Sequence, residues 1–127
     1  MGGERTIKVY AFQTEGQGIL EIEDSQEAKQ EFVGGPLEEI PITDGFVAVC
    51  NENAFIENLE ITAILLGEGD GEAFDMRGIN HVIQGPFLVC RSDETGRLAS
   101  ITEEDVGTIR HYLKQAGRIR DGVIQIE

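Results

Sequence analysis

Few side chains in this sequence are of the types that carry out catalysis. The two histidines, His81 and His111, have no nucleophile or metal-ligand motif beside them, and we interpret both as structural. The two cysteines, Cys50 and Cys90, each end an apolar run typical of a strand. We therefore expect buried, reduced thiols, with a redox role as the alternative. Two cysteines alone cannot complete a tetrahedral thiolate zinc site. The sequence predicts no catalytic residue, no metal site and no cofactor, and we expect a protein that is not an enzyme.

Two polar clusters could instead hold a small ligand. The Asn-Glu-Asn run at residues 51–53 could bind a substrate, but the same residue types end strands in Asx turns, and we favour the turn. Glu68, Asp70, Glu72 and Asp75 could surround a hard cation. Their spacing is not that of the helix–loop–helix calcium site, so we favour a solvated loop.

The charge of the chain is strongly acidic and unevenly distributed. The 127 residues include 24 acidic and 10 basic side chains, for a formal net charge of −14. Residues 15–75, the acidic segment, contain 16 carboxylates and one base, Lys29, so this segment carries −15 and the remainder +1. Such a surface repels phosphate backbones and anionic membranes, which argues against direct binding of nucleic acid or a membrane. It favours a basic protein partner, although solubility alone would also account for it.

The candidate contact residues are the glutamates in the first part of the acidic segment. They are Glu21, Glu23, Glu27, Glu31, Glu38 and Glu39. Spaced along one face, these carboxylates would take the place of nucleic-acid phosphates in the basic channel of another protein. The encounter of the two proteins would then be steered electrostatically and would weaken as salt rises.

The length and composition predict one small domain. A chain of 127 residues is close to the commonest domain size, and a hydrophobic content of 40% is enough for a core. No run of 18 apolar residues occurs, and the first residues lack the apolar region of a secretory signal. We expect a cytoplasmic protein that forms one domain over residues 1–127, with residues 1–5 flexible.

Turn and capping residues divide the first part of the chain into short elements. Alternating apolar side chains over residues 6–12 and 19–23 predict a hairpin. Ser25 is a suitable N-cap for a short helix that ends before a Gly-Gly-Pro turn. Residues 37–42 and 46–50 predict a second hairpin, whose first strand contains a proline and is therefore expected at a sheet edge or at a bulge.

The second part of the chain is harder to interpret. Residues 57–66 combine β-branched side chains with helical spacing, and we favour a short helix. Residues 79–90 predict β structure, and residues 122–126 predict a last short strand. Thr102 is expected to cap a C-terminal helix that stops at Gly117. The apolar face of that helix is expected to consist of Val106, Ile109, Leu113 and Ala116.

Together these elements predict an α+β fold, with an antiparallel sheet, one well-formed C-terminal helix and one or two short helices. Residues 45–51 and 85–91 are similar to each other (Gly-Phe-Val-Ala-Val-Cys-Asn and Gly-Pro-Phe-Leu-Val-Cys-Arg). With no further similarity around them, we interpret the two runs as similarly built core strands rather than as a repeat array.

Several of these runs carry a resemblance to a known family. Residues 34–40 and 44–52 resemble the opening of the family numbered 3846 among domains of unknown function, and residues 83–89 are similar to its second signature. The turn at residues 93–96 and the following run to Asp105 are also similar, so the resemblance covers roughly residues 33–108. It implies a gene carried by phages, plasmids or other mobile elements of bacteria, and it implies no catalytic residues.

Two functions are compatible with these features. The first is a non-enzymatic interaction protein of the anti-restriction or anti-CRISPR type. It would mimic phosphates and thereby bind and inhibit a basic partner, such as a host nuclease or another nucleic-acid-binding protein of a host defence system. The second is a module that sequesters a small signalling nucleotide, for which Arg77, Arg91, Arg97 or Arg110 could contact phosphates.

Overall fold

A computed structural model describes residues 5–43, 45–66, 79–120 and 123–126. The elements, in chain order, are β1 (Thr6–Gln13), β2 (Gly16–Glu23), α1 (Gln26–Val33), β3 (Leu37–Thr43), β4 (Phe46–Asn51), β5 (Ile61–Leu66), β6 (Ile79–Gln84), β7 (Phe87–Ser92), β8 (Leu98–Ala99), α2 (Asp105–Tyr112), β9 (Leu113–Arg120) and β10 (Val123–Ile126). The predicted α+β class and antiparallel pairing are confirmed. Among the described residues, neither helix has the length or the apolar character needed to cross a membrane.

The strands form two antiparallel sheets. The large sheet has the order β2-β1-β7-β4-β3, with β8 paired to the end of β7. The small sheet has the order β10-β9-β5-β6. One face of the large sheet, the helix face, lies under α1, and the other, the core face, packs against the small sheet and α2.

The first hairpin and α1 form as their sequence predicts. β1 and β2 pair residue by residue over their whole length. The hydroxyl of Ser25 accepts a hydrogen bond from the Ala28 N–H at 3.0 Å, which caps the start of α1. The helix ends at Gly34, whose φ of 87° lies in the left-handed region that favours glycine.

The second hairpin, β3 and β4, is also confirmed. Its strand β4 lies beside β7, whose sequence is similar to that of β4. β3 is an edge strand, and its register with β4 shifts between Pro41 and Thr43, as a strand containing proline requires. The two similar runs of the sequence become β4 and β7, which are neighbours at the centre of the large sheet. Both belong to the core because each is covered on its two faces.

The predicted helix at residues 57–66 is wrong, because residues 61–66 form the strand β5. This strand pairs with β6 on one side and β9 on the other. Its side chains from Thr62 to Leu65 are all buried, so neither face shows the polar alternation that would have identified a strand. Because almost every position of this strand is apolar, some of its apolar residues also fall at helical spacing.

The predicted C-terminal helix is partly wrong. α2 ends at Tyr112, and Leu113 begins the strand β9, which pairs with β5 and β10. The N-cap residue is Glu104 rather than Thr102, and its side chain makes no capping hydrogen bond. Ile109 and Leu113 are nevertheless both buried in the core face cluster, so the apolar pattern identifies core residues but not the backbone that carries them.

The core lies on both faces of the large sheet. On the core face, Phe12 and Phe87 stack with ring centroids 4.7 Å apart and an interplanar angle of 3°. On the helix face, Val9 and Leu88 are fully buried, and Phe32 of α1 packs against their cluster. The chain passes from the small sheet to the large one at Gly85, whose φ of 78° lies in the left-handed region that favours glycine.

Several predictions concern residues outside those that the structure describes. They are the flexibility of residues 1–4, the loop at residues 67–78 with its four candidate carboxylates, Arg77, and the start of the last strand at Gly122. The strand itself is present as β10.

Candidate functional site

The six predicted glutamates lie on three separate parts of the molecule. Glu21 and Glu23 lie on β2, Glu27 and Glu31 on α1, and Glu38 and Glu39 on β3. Five of them are exposed, and Glu23 is half-buried. Since β2 and β3 form the two opposite edges of the large sheet, the six carboxylates do not share one continuous face, a point that the sequence left open.

The glutamates of β3 point to opposite sides of the large sheet. Glu38 is paired with Cys50 and lies on the core face, whereas Glu39 is paired with Val49 and lies on the helix face. Glu39 therefore shares its side of the sheet with the glutamates of α1. Glu38 stands instead at the edge of the layer between the two sheets.

The outer surface of α1 carries negative charge that no base of the helix offsets. Glu27 and Glu31 are exposed and one turn apart. The base of this helix, Lys29, is 6% exposed and its ammonium donates to Asp24 Oδ1 at 2.8 Å. The lysine thus lies under the helix, where its charge is neutralised, and the solvent side of α1 is acidic.

Of the arginines proposed for nucleotide binding, Arg91 is already engaged in other contacts. Arg91 donates two hydrogen bonds to the Asp105 carboxylate, at 2.8 and 2.6 Å, and lies over the Phe46 ring at 5.0 Å. The hydrogen bonds from Arg91 lower the pKa of Asp105 to about 2. Arg97 and Arg110 are exposed. Arg91 therefore fastens α2 to the large sheet and offers no free fork to a phosphate.

The two cysteines are inert in this fold. Cys50 lies on the core face and Cys90 on the helix face of the large sheet, so a disulfide between them is excluded. Burial raises the pKa of each thiol to about 12. At neutral pH neither forms an appreciable amount of thiolate, so neither serves as a nucleophile.

The two histidines lie on different elements of the fold. His81 lies on β6, and His111 is exposed on α2, with its ring 4.9 Å from the Tyr112 ring. Within the described ranges, no cluster of three or more histidine, cysteine or carboxylate side chains could hold a metal ion.

The Asn-Glu-Asn run performs the structural role that its residue types favour. Asn51 is buried, and its Oδ1 accepts a hydrogen bond from the Asn53 N–H at 2.8 Å, which closes an Asx turn. The same oxygen lies 2.6 Å from the position that a Cβ atom would take on Gly35. Asn51 thus joins the turn after α1 to the turn after β4.

The layer between the two sheets is closed by polar contacts at one side. The side chain of Gln115 on β9 accepts from Gln17 Nε2 and donates to the carbonyl of Gln13, both at 2.7 Å. The Tyr10 hydroxyl donates to Gln17 Oε1 at 2.8 Å. These bonds fasten β1 and β2 to β9.

At the other side, between the edge strands β3 and β6, the layer is open. A cavity of about 520 Å³ lies there, bounded below by the turn at residues 51–58. Its apolar walls include Ile40, Ala54, Phe55, Ile61 and Val82. The cavity volume lies in the range of small-molecule pockets in proteins.

The cavity carries acidic groups and exposed apolar ones. Glu38 and Glu52 both line it and both are exposed. Phe55 and Ile56 are each 82% exposed, and Val82 is 37% exposed. Sequence reasoning missed this site, although two adjacent apolar residues inside the polar run at residues 51–58 would have indicated it.

Comparison with known proteins identifies a family but no function. The family described as domain of unknown function DUF3846 matches residues 7–116, a longer stretch than the resemblance in the sequence suggested, since it includes the first hairpin and α2. No curated protein and no solved structure matches the chain significantly.

Proposed function

The chain belongs to the DUF3846 family of domains of unknown function. From its exposed carboxylates we propose that it is a non-enzymatic interaction protein that binds a basic protein. The finer part of the proposal is that the partner is a nucleic-acid-binding protein of a bacterial defence system, such as a restriction or RNA-guided nuclease. A phage or plasmid that carries such an inhibitor gains protection from the host.

One observation supports this proposal above the others. Within the described part of the acidic segment, the single base is buried under α1 and paired with Asp24. Glu27, Glu31 and Glu39 are exposed on the same side of the large sheet, and none of them forms an ion pair with another described residue. These carboxylates are therefore free to receive lysines and arginines of a partner.

The physical consequence is a salt-sensitive association. Exposed charges attract a basic partner over about 10 Å at moderate ionic strength, and this attraction mainly raises the rate of association. A carboxylate that replaces a phosphate accepts the same lysine and arginine hydrogen bonds. Nucleic acid and the chain should therefore compete for the same surface of the partner.

The test is capture of partners from a bacterial lysate at low and high salt, followed by native mass spectrometry of the eluate. The proposal expects a basic nucleic-acid-binding protein that is released as salt rises. Added duplex DNA or RNA should displace the chain from the purified partner. A co-purifying nucleotide without a protein partner would favour sequestration of a signalling molecule instead.

Paired charge-neutral variants locate the contact surface. The three pairs change glutamate to glutamine at Glu21 and Glu23, at Glu27 and Glu31, and at Glu38 and Glu39. The matched control neutralises Glu103 and Glu104, which are exposed but lie outside the acidic segment. The pair at the interface should weaken binding about tenfold or more, and the control should not. A partner that is retained by all three pairs and at high salt would contradict the proposal.

A further inference from the structure

The open side of the sheet layer is the place where a basic partner could be anchored rather than only attracted. Resting on the function proposed above, we infer that the cavity between β3 and β6 binds an apolar side chain of the partner that is flanked by lysine or arginine residues. This inference follows from the shape, the exposed apolar residues and the charge of the cavity.

The apolar residues at the cavity are more exposed than the fold requires. Phe55 and Ile56 each leave 82% of their surface in water, at the tip of the turn that bounds the cavity. Val82 adds exposed apolar surface on β6. A cluster of this kind next to a cavity marks an interaction surface, because burying it against a partner removes apolar area from water.

The polar groups of the cavity select a cationic partner. The Asn51 side chain is engaged in its Asx turn, and Gln84 Nε2 donates to the carbonyl of Leu59 at 2.7 Å. Among the described residues that line the cavity there is no lysine, arginine or histidine. Glu38 and Glu52 are exposed, and neither carboxylate forms an ion pair or a side-chain hydrogen bond with another described residue. The groups left to meet a ligand are therefore two anionic acceptors beside an apolar wall.

Charge also decides against two other occupants. A nucleotide or another anion would meet the Glu38 and Glu52 carboxylates, and none of the described lining residues is a base that would offset them. A second copy of this chain would bring the same carboxylates and a net charge of −14 to the same place. A partner that presents an aromatic or aliphatic side chain between basic residues satisfies both parts of the cavity.

The test uses peptides, because the chain contains no tryptophan. A short peptide with one tryptophan between lysines, excited at a wavelength that tyrosine does not absorb, gives a fluorescence signal that comes from the peptide alone. A blue shift of its emission on titration with the protein reports that the indole has entered an apolar site. Calorimetry measures the affinities of three peptides. They are the same tryptophan peptide, a peptide with serine in place of tryptophan, and a peptide with serines in place of the lysines.

Variants of exposed residues connect the signal to the cavity. Phe55→Ser and Val82→Ser should each weaken the tryptophan peptide about tenfold or more, which corresponds to about 1.4 kcal/mol. Glu38→Gln combined with Glu52→Gln should weaken binding and reduce its salt dependence. Ile19→Ser, which changes an exposed apolar residue on the opposite edge strand β2, is the matched control and should leave the affinity unchanged. Circular dichroism checks that each variant is folded.

The outcomes separate this inference from the proposed function. If the serine peptide binds as tightly as the tryptophan peptide and is released by salt, the acidic surface binds basic partners but the cavity inference is overturned. Tight binding of the peptide without lysines would overturn the cationic part of it. A blue shift that survives both cavity variants would also overturn the inference. If no lysine peptide binds at low salt, the proposed function fails as well.

Discussion

Replacing Glu31 by lysine should stabilise the fold while it weakens binding of a basic partner. Glu31 lies in the last turn of α1, where the helix dipole is negative and where the helix has no basic residue. It also lies one turn after Glu27, so two like charges face each other on the helix surface. Both features are unfavourable for folding, and the proposed function gives a reason for their presence.

The size of the effect follows from these two contributions. A charge that suits the helix dipole at an exposed terminus contributes about 0.3–1 kcal/mol. Replacing a repulsive pair one turn apart by an attractive pair of glutamate and lysine contributes about 0.2–0.5 kcal/mol from each change. Glu31→Lys should therefore raise the free energy of unfolding by about 1 kcal/mol, or the melting temperature by about 4 °C for a domain of this size.

Glu27→Lys is the matched control, because it changes the net charge by the same amount on the same helix. Glu27 lies in the first turn, where a carboxylate suits the positive end of the dipole. The dipole contribution now opposes the pair contribution, and stability should change little or decrease. Urea denaturation of both variants at low and high salt measures the difference. If Glu27→Lys stabilised the protein as much as Glu31→Lys, relief of the net charge would explain both effects and the local argument would be refuted.

Three further predictions concern contacts that hold the fold together. Gly35→Ala should destabilise the protein by about 1–3 kcal/mol, since a Cβ there meets an oxygen at 2.6 Å, whereas Gly18→Ala, with nothing within 4 Å, should be near neutral in thermal denaturation. The hydrogen bonds from Arg91 lower the pKa of Asp105 from 3.8 to about 2. The ionised carboxylate therefore contributes its full stabilisation of the fold above pH 3.8, and this stabilisation is lost as the pH falls toward 2. Asp105→Asn should remove this acid dependence from urea midpoints and lower stability at neutral pH by about 1–2 kcal/mol, because the partner Arg91 is half exposed and loses only its hydrogen bonds to the charged carboxylate. Cys50 and Cys90 should resist a thiol reagent at pH 8 in the folded protein, because burial raises the pKa of both thiols, and should react at once in denaturant.

Each of these has an outcome that would contradict it. Equal stability of the two alanine variants would show that the turn after α1 relaxes around a methyl group. An unchanged acid transition in the asparagine variant would mean that other carboxylates control acid unfolding. Rapid labelling of the native thiols would show that the central strands of the large sheet open to solvent.

The local sequence was sufficient to predict the elements whose ends are defined by capping or turn residues. Ser25 and Gly34 fix α1 within a residue at each end, because a capping hydroxyl and a left-handed glycine act through the adjacent backbone. The hairpins were predictable because one of their strands is at an edge and shows alternation or a proline. The strand β5 could not be predicted in this way, because both of its faces are buried. Its backbone forms hydrogen bonds with β6 and β9, which are distant in sequence.

In the C-terminal region, the local sequence also fails to predict where the helix α2 ends. Leu113 follows Ile109 at helical spacing, and both are buried, yet the chain becomes extended at Leu113. The pairing of β9 with β5 decides this, and nothing in residues 102–117 encodes it. For the candidate site, the sequence supplied the glutamates but not their placement, because the separation of β2 and β3 depends on the order of the strands.

The carboxylates beside the open cavity have a second consequence, which can be measured without a partner. An apolar cavity between two edge strands is a site of self-association unless something opposes it. Glu38 and Glu52 oppose it, because two copies that meet there bring like charges together. Salt should therefore promote self-association while it weakens binding of a basic partner. Light scattering and sedimentation should show more dimer for the Glu38→Gln and Glu52→Gln double variant, and Phe55→Ser should reverse this. A double variant that stayed monomeric at every salt concentration would show that the carboxylates have no protective role against self-association.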